Sequence, residues 1–121
     1  KDMIGSQATK GMHVLARFAP HSVACGQWQS EQGELTVVEG YPSPAKRSKG
    51  FAALRQRCVI PAQWQAVLHQ PTPRQQDMHD AWQCALLAWA LEHAPQQVAW
   101  PPAEMPTAEG WIFVPDDALK G

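Results

Sequence analysis

Two aspartates three residues apart, Asp77 and Asp80, open the apolar stretch QQDMHDAWQCALLAWALEH. At that spacing in a helix they share one face, with Cβ atoms about 5–6 Å apart. Carboxylates that close repel, which raises one pKa unless a cation sits between them. A divalent metal would remove the repulsion. The simpler reading is that the macrodipole and unpaired N–H groups of a helix start favour negative charge. A third carboxylate, Glu39, ends the run ELTVVEG. A strand-end glutamate facing aspartates at a helix start is a workable way to hold magnesium, since Mg²⁺ takes oxygen ligands and binds through a few carboxylates and several waters. Two such ions can activate a water and stabilise a leaving oxygen in phosphodiester cleavage. Glu39, Asp77 and Asp80 are therefore the candidate metal-binding and catalytic residues, with Mg²⁺ or Mn²⁺ as the expected cofactor. Lys46 and Arg47, with Lys49, Arg55 and Arg57 after them, make a basic stretch. It reads first as a solvated loop, and functionally as a contact for a nucleic-acid backbone. His79 stands beside the aspartates and could relay a proton, although an exposed helix residue is the plainer reading.

The elements that must position these groups follow from spacing. Residues 6–18 suggest a first helix with Ser6 as N-cap, ended by Pro20. Residues 23–29 and 34–42 read as two extended runs joined by the turn SEQG, an antiparallel hairpin. Residues 42–50 carry two prolines and read as a loop. Residues 51–58 suggest a short helix, and residues 61–69 another, with Pro61 at the favoured first position and Trp64, Val67 and Leu68 on one face. Residues 75–93 form the long helix, with hardly a polar residue from Met78 to Leu91, so it is expected to be nearly all buried. Ala81, Cys84, Ala85 and Ala88 form a small-residue seam that would let it sit close against a sheet. Residues 94–110 hold four prolines and read as an irregular connection to a last strand in residues 111–115. The expected fold class is α/β, with a small, largely antiparallel sheet and packed helices.

Composition bounds the rest. A chain of 121 residues fits one domain with a modest core. With 45% apolar and 17% charged residues it is globular. A net charge of −1 argues against a sequence-blind grip on nucleic acid over the whole surface. No apolar run approaches the roughly 18 residues of a membrane span, and no signal peptide is visible. Cys25, Cys58 and Cys84 stand far apart without CxxC spacing, as free thiols of a reducing cytoplasm would. No Cys/His spacing matches a zinc site. The first residue is Lys1, which is read as the start of a processed chain or of a piece of a longer one.

VVEGYPSPAKR, then DMHDAWQCALLAWAL, then EGWIFVP resemble the C-terminal half of the predicted RNase H-like nucleases grouped as domain of unknown function 429. In that family a strand ending in Glu-x-Tyr/His-Pro precedes an acidic helix of the form DA-x-x-CA-x-x-A and an EGWI-x-x-P tail. The Asp-x-x-Asp-Ala helix start also looks like the last helix of RuvC-type resolvases. The resemblance covers residues 34–115. It implies a partial RNase H-like fold, with Glu39 as the second acidic position and Asp80, helped by Asp77, as the final one. Nucleic acid is the substrate it implies, and a hydrolase the enzyme class. One departure matters. The family's leading catalytic aspartate lies on a first strand, and the only aspartate before Glu39 here is Asp2. The chain then stands as the C-terminal part of a larger domain, as a half-protein completed by a second chain, or as a module that no longer cuts.

Three functions follow as expectations: a metal-dependent phosphodiesterase, a non-catalytic interaction module on the same fold, and a small-molecule domain of the wider RNase H-like group of sugar kinases and actins. The absence of a glycine-rich phosphate loop counts against the third.

Overall fold

The computed structural model describes residues 15–119. Residues 15–18 are helical; the rest of the first expected helix, with Ser6, lies outside the described residues. The described chain is mixed α/β, with a four-stranded sheet in the order β1-β2-β3-β4 and helices packed together. The chain divides into two compact units, one of residues 1–39 and 101–112, the other of residues 40–100 and 113–121.

The first unit holds the hairpins. β1 (His21–Ala24) pairs antiparallel with β2 (Gln27–Gln29), and β2 with β3 (Thr36–Gly40). The turn read at SEQG is present: Gly33 adopts φ 73° and its N–H donates to the Ser30 carbonyl at 3.0 Å. The single run expected over residues 23–29 is in fact two strands. Gly26, also at φ 73°, reverses the chain after Ala24, a backbone conformation that costs glycine nothing. Buried Cys25 at this turn donates its thiol to the Glu109 carbonyl at 3.3 Å.

The second unit is helical. α1 (Pro42–Arg47) occupies the stretch read as a loop. Its prolines fall in the first turn, where the missing N–H groups would have had no intrahelical acceptor anyway. α2 (Lys49–Arg57) starts at Ser48, whose hydroxyl oxygen accepts from Phe51 N–H at 3.0 Å. A 3₁₀ turn, Ala62–Trp64, leads into α3 (Gln65–His69). A capping box of Thr72 and Gln75 then launches the long helix α4 (Gln76–His93). The chain returns through the short β4 (Ile112–Phe113).

The core of this unit centres on Phe51 and Phe113, both 0% exposed, with Leu54, Leu86, Leu87 and Ala90. α4 contributes one face to it, through Gln83, Leu86, Leu87 and Ala90. The expectation of an almost wholly buried helix is overturned. Met78, Ala81, Ala85, Ala88 and Trp89 are exposed, so the small-residue seam faces outward, except for half-buried Cys84. Leucines bury more apolar area than alanines, and they decide which face turns inward.

Candidate functional site

Asp80 sits in the first turns of α4, facing α1. Its Oδ1 is enclosed, 2.6 Å from Lys46 Nζ. The two form an ion pair, with side chains 37% and 32% exposed respectively. Lys46, expected to face a nucleic-acid backbone, is committed to this carboxylate. Arg47 and Asp77 are exposed. Glu39 is exposed on β3, in the first unit. Cys84, one turn beyond Asp80, has its thiol pKa raised, first by burial and then by the Asp80 charge.

A metal at Asp80 is a poor fit to this arrangement. The enclosed oxygen already faces an ammonium, and among the described residues no group of three or more His, Cys, Asp or Glu is placed to hold a metal ion. A divalent cation there would have to displace Lys46.

Next to this pair runs a chain of hydrogen bonds that spacing did not foretell. Arg55 Nη1 donates to the Ala45 carbonyl at 3.0 Å and to Gln83 Oε1 at 3.1 Å. Gln83, only 2% exposed, places Nε2 3.2 Å from His79 Nε2. His79 Nδ1 lies 3.3 Å from the Val67 carbonyl. A carbonyl only accepts, so Nδ1 carries the imidazole proton and Nε2 accepts from the amide. His79 is half-buried, not the exposed helix residue of the plainer reading, and it ties α3 to α4. Burial lowers the Arg55 pKa.

On the other side of that tie lies an apolar groove of about 380 Å³. Val59, Trp64 and Leu68 line one side; Met78, Ala81 and Ala85 line the other. Val59 is 99% exposed, Trp64 43% and Met78 44%. The expected common face of Trp64, Val67 and Leu68 is real, and all three border this groove. Trp82, also lining the groove, keeps its indole N–H enclosed and without an acceptor among the described residues, a cost of about 1–3 kcal/mol that a nearby acceptor would remove. Both stripes are legible in the sequence, the Trp64 face and the alanine seam, and the seam was expected to pack against a sheet. The signal the sequence lacks is the competition between the two faces of α4.

Comparison with known families, curated proteins and solved structures found no match to this chain. Among the described residues no helix is long and apolar enough to cross a membrane.

Proposed function

We propose that this chain is a non-catalytic interaction module, one of the forms that the RNase H-like resemblance allows. The observation that carries the reading is the open groove between α3 and α4. Large apolar side chains are left in water around a concave surface, which is what a binding site for another apolar surface requires. The Lys46–Asp80 pair supports it from the other direction. The carboxylate that a nuclease would use for Mg²⁺ or Mn²⁺ here joins two helices.

The nuclease reading makes the opposite demand, so one experiment separates them. Mn²⁺ titration of the intact chain, followed by the electron paramagnetic resonance signal of the free ion, should show no saturable site, and duplex or single-stranded nucleic acid should stay uncut. An apolar fluorescent dye should bind in one saturable class that Ala85→Gln removes. Saturable Mn²⁺ uptake lost in Asp80→Asn, together with cleavage, would overturn the proposal.

A further inference from the structure

We propose that the groove receives an amphipathic helix of a partner protein, and that the flanks of that helix are acidic. This rests on the interaction-module reading and names the chemistry of the partner.

Shape selects a helix. Ala81 and Ala85 lie about one turn apart on α4 and are both exposed. They make the α4 side of the groove low, between Met78 and Trp82 of the same helix, and Trp64 and Leu68 line it as well. Helices pack by setting the ridge of one into the groove of another, with axes about 8–10 Å apart. Small residues on that side permit the approach, and apolar anchors spaced i, i+3, i+4, i+7 on the incoming helix would fill the groove.

Charge selects its flanks. From Gly40 to Gln76 there are six basic residues and no aspartate or glutamate. Lys46 is paired with Asp80 and Arg55 is bonded inside the fold. Arg57 and Arg74 are exposed, and neither has an ion-pair partner among the described residues. Arg57 lies two residues before Val59 on one side. Arg74 lies four residues before Met78, about one turn, at the start of the other. Asp77, just beyond this stretch and three residues after Arg74, is the acidic residue nearest to that arginine in sequence. Two exposed guanidinium groups, each within four residues of a groove-lining side chain, favour a partner that is apolar on one face and acidic beside it. A second copy of this chain fits less well. An isologous pairing on this face would set Arg57 and Arg74 against their own kind. Nucleic acid would answer the arginines but would leave Val59 and Met78 uncovered.

Two synthetic helical peptides test this, identical in their leucine anchors and carrying either glutamates or lysines on the flanks. Each is titrated against the intact chain, with the fluorescence of groove-lining Trp64 and Trp82 as the signal. The acidic peptide should bind about tenfold more tightly than the basic one, and the preference should fade as salt rises. Ala85→Gln should abolish binding without moving the thermal midpoint. Arg57→Glu combined with Arg74→Glu should reverse the preference. Equal affinity for both peptides, or acidic-peptide binding untouched by Ala85→Gln, would overturn the inference. So would a concentration-dependent dimer that Ala85→Gln dissociates, since the occupant would then be a second copy. Failure here without Mn²⁺ uptake removes only the acidic helix; Mn²⁺ uptake with cleavage removes the module reading itself.

Discussion

Lys46 and Asp80 lie 2.6 Å apart and join α1 to α4 as an ion pair. The pair is about one-third exposed, so solvent screens it and its coupling should be small, about 0.2–1 kcal/mol. A double-mutant cycle with Lys46→Met and Asp80→Asn, followed by urea unfolding, should return a coupling in that range that shrinks in high salt. A coupling of zero at low salt would show that the two charges act independently.

Gln83 is a more consequential residue than either charge. It is the one buried side chain that satisfies both Arg55 and His79. Gln83→Leu keeps the approximate volume but takes one of two acceptors from Arg55 Nη1, leaving the Ala45 carbonyl, and removes the amide from His79, and should cost about 1–3 kcal/mol. Gln83→Leu combined with Arg55→Met removes both partners and should recover part of that loss. Equal losses in the single and double variants would show that the network contributes only packing.

The start of α2 provides a pH dependence. Asp117 Oδ2 accepts from Gly50 N–H at 3.0 Å. The Ser48 hydroxyl and then the backbone N–H groups hold the Asp117 carboxyl below its ordinary value of 3.8. A carboxyl whose folded pKa is depressed stabilises the fold above its unfolded pKa. That contribution is lost as pH falls through the folded value. Asp117→Asn should therefore lower the thermal midpoint at neutral pH, and the gap from the unmodified chain should close on acidification below about 3.8. A gap that does not change with pH would show that the carboxylate's charge plays no part.

Gly40 meets the core at close range. A Cβ built there would stand 2.6 Å from Leu87 Cδ2, and Leu87 is only 2% exposed. Gly40→Ala must push that leucine off its position, and overpacking of this kind costs about 1–3 kcal/mol. Chemical denaturation of the variant measures it directly. An unchanged midpoint would mean that Leu87 has room to rotate away.

The sequence made some of this legible and concealed the rest, for identifiable reasons. The long helix, the turn at Gly33 and a last strand rest on local signals; the first two are where those signals put them, and the strand expected over residues 111–115 occupies only Ile112–Phe113. α1 was hidden because two prolines usually deny helix, a rule that lapses in the first turn. The Arg55–Gln83–His79 chain links residues 28 positions apart at one end and 4 at the other, and no local pattern announces such a network. The carboxylates were conspicuous by type and spacing, but spacing cannot tell whether Asp80 meets a metal or the ammonium of Lys46.

The two faces of α4 can be told apart by one pair of substitutions. The seam, read as a packing surface, leads to the expectation that Ala85→Leu destabilises the fold by overpacking. Ala85 is exposed, and added methyl groups there meet the open groove, so the change should stay within about 0.5 kcal/mol of zero. Ala90 is 0% exposed, one turn from Leu86 and Leu87 in the core. Ala90→Leu has nowhere to place its side chain and should cost about 1–3 kcal/mol. Unfolding of the two variants under one set of conditions tests the orientation of the whole helix. A large loss for Ala85→Leu and none for Ala90→Leu would mean that α4 turns its alanine seam inward, and the groove would no longer exist as a site.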